Sequence, residues 1–150
     1  MSKNKTATDV AAVLTAILAD TYALAVKTHG AHWNVTGPGF YELHEEFGKQ
    51  YEALFEAADE LAERVRALGA TAPGSIGDLS RRSTLPGAPD ARDGASLVKI
   101  LYGDHRHLSK AASAGIAVAQ AAGDEASADL LVGRVTEHDK TAWMLGAVAG

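Results

Sequence analysis

The sequence predicts an all-α fold, a bundle of four long helices with one long crossover between the second and the third. Three observations carry this. Apolar residues recur at helical spacing in four stretches, short Gly-marked breaks separate the first pair and the last pair, and a single long Pro/Gly-rich segment divides the two pairs. No strand is needed anywhere, and there is no internal repeat, low-complexity tract or second domain.

Residues 10–148 make up the predicted domain, and residues 1–9 a flexible N-terminal tail. Helix one is expected over 10–35, with Val10, Leu14, Ile17, Leu18 and Ala25 on one side and His32 further along that side. Gly37-Pro38-Gly39 leaves room only for a tight connection, so an antiparallel hairpin follows. Helix two carries the clearest stripe, Phe40, Leu43, Phe47, Tyr51, Leu54, Ala58, Leu61, Val65 and Leu68, and Gly69 ends it. At 1.5 Å per residue it would be about 45 Å long, which suits only a helix running the length of a bundle.

Thr71–Gly94 holds Pro73, Pro86 and Pro89 among glycines and polar residues, and reads as a crossover with a short helix at Ile76–Arg82. Helix three resumes over 95–122 through Leu97, Leu101, Leu108, Ala112 and Ala119. Gly123-Asp124 punctuates, and helix four runs to about Val148 through Leu131, Val135, Ala142 and Leu145.

With 14 basic and 19 acidic residues the net charge is −5, which argues against a strongly basic nucleic-acid module. The absence of cysteine removes disulfides, thiolate nucleophiles and sulfur-ligated metal centres, so a metal site must use His, Asp and Glu. Lys3 and Lys5 before the apolar run 10–19 imitate a secretory leader, but the helical pattern continues past Asp20. No apolar stretch is expected to reach the ~20 residues that span a bilayer.

The candidate metal ligands are His32 near the end of helix one and His44, Asp59 and Glu63 on helix two. His44 falls roughly 60° from the centre of the helix-two stripe, with Asp59 and Glu63 further round the same flank. Gly48 and Ala62 on that flank would let another helix approach, and Phe55 would be an odd choice for water. Asp59 follows His44 by 15 residues, about 22 Å along the axis, too far for one ion. Two copies of helix two lying antiparallel about a two-fold axis would bring His32 and His44 of one chain beside Asp59 and Glu63 of the other. Imidazole plus carboxylate suits Fe(II), with Zn or Mn as substitutes. An intrachain di-iron bundle would want two Glu-x-x-His motifs, and only Asp104-x-x-His107 comes near one. His105 and His107 read as surface histidines.

The run His32-Trp33-Asn34-Val35-x-Gly37-Pro38-x-Phe40-x-x-Leu43-His44-Glu45 and the later Asp59-x-x-Ala62-Glu63-Arg64-x-x-x-Leu68-Gly69 resemble the signature of the Dps proteins, the bacterial miniferritins. Gly123-Asp124…Ala128-Asp129-Leu130-Leu131 and Glu137-His138-Asp139-Lys140…Trp143-Met144-Leu145 are similar to the family's pattern near the C-terminus. The resemblance covers nearly the whole chain. It implies a ferritin-like four-helix subunit in a hollow homododecamer, a ferroxidase that oxidises Fe(II), usually with hydrogen peroxide, at dimer interfaces and stores Fe(III) oxide inside, protecting against oxidative damage.

By position, His32, His44, Asp59 and Glu63 match the family's iron ligands, and Trp33 matches the tryptophan beside the centre, although a plain core aromatic explains Trp33 equally well. Two weakly held Fe(II) ions, or one plus a recruited second, would each give one electron to peroxide, and neutral histidines are required, so acid should weaken iron uptake. Asp124, Glu125 and Asp129 cluster at the start of helix four, where they suit the macrodipole and where the family places acidic residues around three-fold pores. The alternative is a DNA-compacting protein with a secondary metal site. Only Lys3 and Lys5 offer a basic tail, so DNA binding is expected to be weak or salt-sensitive, in a cytoplasmic protein with no membrane partner.

Overall fold

The computed structural model describes residues 3–150, with side chains from Thr6 onward. Five helices follow one another: α1 (Lys3–Asn34), α2 (Phe40–Ala67), α3 (Ile76–Arg82), α4 (Gly94–Ala121) and α5 (Glu125–Ala149), with no strand among the described residues. The four long helices are the predicted bundle, and α3 is the short helix expected in the crossover. α1 starts at Lys3, ahead of the expected 10, so helical backbone occupies much of the stretch read as a tail. The side chains of Lys3 and Lys5 lie outside the described residues.

Each break has a local cause. Gly37 and Gly39 take φ of +91° and +79° in the turn between α1 and α2, a region L side chains rarely adopt. α2 stops in a Schellman motif: Gly69, at φ +87°, donates its N–H to the Arg66 carbonyl at 2.9 Å, and Ala70 donates to that of Val65 at 3.2 Å. Gly123 and Asp124 end α4 in the same way, through Gln120 and Ala119. Ser75, Asp93 and Asp124 accept from the backbone N–H three residues on, at Asp78, Ser96 and Ser127, and so cap α3, α4 and α5.

α1 packs along α2, α4 packs along α5, and α1 against α4 joins the two hairpins, whereas α2 and α5 barely touch. The predicted stripes supply the core: Leu14, Phe47, Leu61, Val65, Leu101, Leu108, Leu131 and Leu145 are all fully buried. Gly115 of α4 brings this packing close, since a Cβ there would lie 2.9 Å from Leu131 and 3.0 Å from Val13. Phe40, Tyr51, Leu68 and Val135, counted in the stripes, are only half-buried, because they flank the core.

The crossover is tied down by charge. Asp20 of α1, read from sequence only as an interruption of an apolar run, is 4% exposed. Its carboxylate accepts from the Thr84 N–H at 2.6 Å, Thr84 Oγ1 at 2.7 Å and Ser83 Oγ at 2.9 Å. Two turns on, Lys27 donates to the Pro86 carbonyl at 3.2 Å and pairs with Asp104 of α4 at 2.7 Å, both side chains nearly fully buried. The expectation that no segment is apolar and long enough to cross a bilayer needs correction. By length and composition Thr6–Asn34 is, but more than half of its most apolar window is buried inside the bundle, where that apolar surface serves the core.

Candidate metal centre

His32, on the last turn of α1, and His44, on the second turn of α2, are brought together by the Gly37–Gly39 turn. Their rings stack with centroids 3.8 Å apart and planes 16° from parallel. Each holds the other's backbone: His32 Nδ1 lies 2.6 Å from the His44 carbonyl oxygen and His44 Nδ1 lies 2.7 Å from that of His32. A carbonyl can only accept, so both Nδ1 atoms carry a proton, and the lone pair that a neutral ring offers is the one on Nε2. A metal-binding imidazole needs this: the second nitrogen donates to the protein, fixing tautomer and orientation. Gly48, read as room for a partner helix, makes room for His32 instead, since a Cβ there would come within 3.2 Å of the imidazole.

Asp59 and Glu63 stand one turn apart on the exposed flank of α2. The hydrogen bond that Glu63 shares with Asp59, together with the negative charge of Asp59, raises the Glu63 carboxyl above its ordinary value. Two carboxylates that crowd each other in this way gain from a cation between them. Along α2 Asp59 remains about 22 Å from His44 and Glu63 about 28 Å. Among the described residues, no group of three or more His, Asp or Glu side chains of one chain could hold a metal ion.

Two residues beside the histidines escaped sequence reasoning. His29 stacks on Tyr51 with ring centroids 3.9 Å apart and lies 4.0 Å from the ring of Trp33, and Tyr51 is itself 5.4 Å from His32. The available signal was spacing, because His29 precedes His32 by one helical turn and Tyr51 lies two turns beyond His44. Trp33 is 64% exposed, so within one chain it is not a core aromatic.

At the start of α5 the three acidic residues differ. Glu125 and Asp129 are exposed. Asp124 is engaged: Oδ1 accepts from the Ser127 N–H at 3.0 Å and from Arg64 at 2.8 Å, and Oδ2 from Ser127 Oγ at 2.6 Å. Burial pushes the Asp124 carboxyl up, but the Ser127 hydrogen bonds and Arg64 outweigh it and hold it below the ordinary carboxylate value.

The reading of His105 as a surface residue is overturned, while His107 is on the surface as expected. His105 of α4 and His138 of α5 are 2% and 0% exposed, with their Nδ1 atoms 2.9 Å apart. The α4 face that carries Leu101 and Leu108 also carries residue 105, one turn from each, so periodicity placed it inward. Burial, aided by the Arg134 charge, lowers His105 to about 4 and His138 to about 2. Both are therefore neutral in the fold, whereas the unfolded chain takes up protons below about 6.5. Arg134, Gln50, Glu46 and Glu137 face the pair from α5 and α2. Stability is thus expected to be full above pH 6.5 and to fall progressively below it, through both histidines down to about pH 4 and through His138 alone from there to about pH 2. Thermal midpoints across that range test this: a His105→Gln/His138→Gln variant should show a flatter profile than the native chain.

Comparison with known proteins places this geometry among relatives. A family model described as a ferritin-like domain matches residues 11–150. A protein of Nostoc sp. described as low temperature-induced is 39% identical over 85% of this chain and 73% of its own length. The DNA protection during starvation protein 2 of Bacillus anthracis is 34% identical over 90% of this chain and 92% of its own. The crystal structure of a Dps protein from Vibrio cholerae, described as a member of a broad superfamily of ferritin-like diiron-carboxylate proteins, superposes with a TM-score of 0.94 at 29% identity, covering 98% of this chain and 92% of that one.

Proposed function

Because the chain belongs to the ferritin-like family, in its Dps branch, whose fold serves iron oxidation and storage, we propose that it is a ferroxidase whose centres are each shared by two subunits. His32 and His44 of one chain and Asp59 and Glu63 of another hold Fe(II) as substrate. The observation that carries this reading is the division of the ligand set within one chain. Two imidazoles with preset Nε2 lone pairs stand at one end of α2 and two crowded carboxylates at the other, each an incomplete site.

The surface beside Asp59 supports a partner there. A groove of about 280 Å³ next to Asp59 is lined by Tyr22, Phe55, Ile76 and Leu79. It continues past Tyr22, Ile76 and Leu79 to Val26 in a larger one of about 530 Å³. Ile76 is 81% exposed and Val26 53%; such an apolar surface gains from being covered.

The chemistry balances as two Fe(II), one hydrogen peroxide and two protons giving two Fe(III) and two water molecules. Each iron supplies one electron, so the O–O bond breaks without releasing hydroxyl radical. Carboxylates, as hard anionic oxygen ligands, favour the Fe(III) product, and Trp33, exposed on its own chain, is assigned a place beside the centre. Assembly into a homododecamer, with Fe(III) oxide inside and Glu125 and Asp129 attracting Fe(II) at pores, belongs to the same proposal. DNA is the weaker partner on account of the acidic net charge.

Anaerobic addition of Fe(II) followed by peroxide, with Fe(III) absorbance as the readout, tests the reading. The native protein should turn over, and a His32→Ala/Asp59→Ala variant of unchanged size-exclusion mass should not; equal rates would refute it.

A further inference from the structure

The Asp104-x-x-His107 pair, which the sequence marks as near one half of a di-iron motif, is split by the packing. Asp104 turns to Lys27 of α1. His107, one turn on along α4, turns instead to Asp20 of α1 and Thr84 of the crossover. Its Nε2 lies 3.0 Å from Thr84 Oγ1 and 3.6 Å from Asp20 Oδ2, and those two oxygens are 2.7 Å apart. Three donor atoms from three separate segments thus form a closed triangle, and none of the three residues belongs to the iron centre.

That triangle has the size of one face of a metal coordination shell. Ligands about 2.1 Å from a divalent ion stand about 3.0 Å apart in an octahedron and about 3.4 Å apart in a tetrahedron, and the three observed separations straddle those values. The carboxylate is held in place for it. Asp20 Oδ1 accepts from the Thr84 N–H at 2.6 Å and from Ser83 Oγ at 2.9 Å, which leaves Oδ2 facing Thr84 Oγ1 and His107. The protons permit an ion as well. Thr84 Oγ1 gives its proton to Asp20 Oδ2, so it accepts from the His107 Nε2–H. An ion in the triangle displaces both: the His107 proton moves to Nδ1, the Thr84 hydroxyl turns its proton to solvent, and the site releases no net proton.

Charge supplies the driving force. The Asp20 carboxylate is buried and satisfied by neutral donors alone, with no lysine or arginine paired to it among the described residues. Lys27 stands seven residues further along α1, about 10 Å up the helix axis, and is taken by Asp104. Hydrogen bonds without a counter-charge leave a buried anion only partly compensated, and a neutral His107 adds no charge. The way in is open, because the His107 side chain is 49% exposed, Thr84 is exposed, and 6% of the Asp20 side chain still reaches the surface.

We propose that Asp20, His107 and Thr84 hold a first-row divalent transition-metal ion, separate from the iron centre, with water in its remaining positions. The ion clasps the crossover to α1 and α4. Imidazole beside carboxylate and hydroxyl selects such ions over Mg²⁺ and Ca²⁺, which take oxygen ligands.

Zn²⁺ is the probe. In assembled protein carrying His32→Ala/Asp59→Ala, which disables the iron centre, equilibrium dialysis against dilute Zn²⁺ is expected to retain about one more ion per chain than in the same protein with His107→Ala added. Thr84→Val should weaken that ion about threefold or more, since it removes one neutral ligand of three. His107 is a surface side chain, and size-exclusion mass and helical circular dichroism check that its replacement leaves the assembly intact. Crystals soaked in Zn²⁺ should show anomalous density between Asp20 Oδ2 and His107 Nε2. Equal Zn²⁺ retention with and without His107, or anomalous density only elsewhere, would overturn the proposal.

Discussion

Chains carrying His32→Ala and His44→Ala, co-assembled in equal amounts with chains carrying Asp59→Ala and Glu63→Ala, are expected to regain about a quarter of the native Fe(II)-oxidising activity, although each variant alone is inactive. Removing even an outer partner of a metal ligand costs 10–100-fold, so losing two ligands should silence each parent. Random pairing makes half of the dimers mixed. In a mixed dimer one site receives both histidines and both carboxylates and the other receives neither, so one site in four is whole. A centre built within one chain would leave the mixture as inactive as its parents. Equal assembly of all samples, checked by size-exclusion mass, keeps the comparison between sites.

Lys27→Met is expected to cost about 3–5 kcal/mol, the usual effect of stranding one member of a buried ion pair. Its side chain is 5% exposed and that of Asp104 8%, and their 2.7 Å contact joins α1 to α4. Without Lys27 the Asp104 carboxylate stays buried and uncompensated, and the Pro86 carbonyl loses its donor. Denaturant titration should show a lower midpoint with an unchanged slope, and the thermal midpoint should fall on the order of 10 °C. Lys27→Met/Asp104→Leu should recover most of the loss, because a volume-matched apolar pair removes the stranded charge. A single variant as stable as the native chain would show that the pair contributes nothing. The crossover should also become more open to proteolysis near Pro86.

Much of the molecule was legible in the residues. Leu43, Phe47, Leu54, Leu61 and Val65 announce a buried helix face through spacing alone, and Gly37, Gly39 and Gly69 mark breaks that require positive φ. The incompleteness of the metal centre was legible for the same reason, since 15 residues of helix are a fixed length whatever surrounds them. Polar residues inside the bundle were not. Asp20, Lys27, His105 and His138 carry no one-dimensional sign of their partners, because those partners are on other helices or in the crossover. His105 was assigned to the surface on residue type, although its position on the α4 stripe pointed inward.

The sequence by itself determined that the chain is four amphipathic helices with one crossover, that any metal must be held by nitrogen and oxygen, and which four residues are candidates for it. Periodicity and backbone freedom are local properties, written in neighbouring residues. The tertiary structure alone decided that His32 and His44 present Nε2, because each ring meets the other's carbonyl across the turn. It also decided that Asp124 is engaged by Arg64 while Glu125 and Asp129 stay exposed, and that Asp20, Thr84 and His107 meet between α1, the crossover and α4. Proton positions, ion pairs and hydrogen bonds between side chains depend on distances between helices, and those exist only once the bundle is packed.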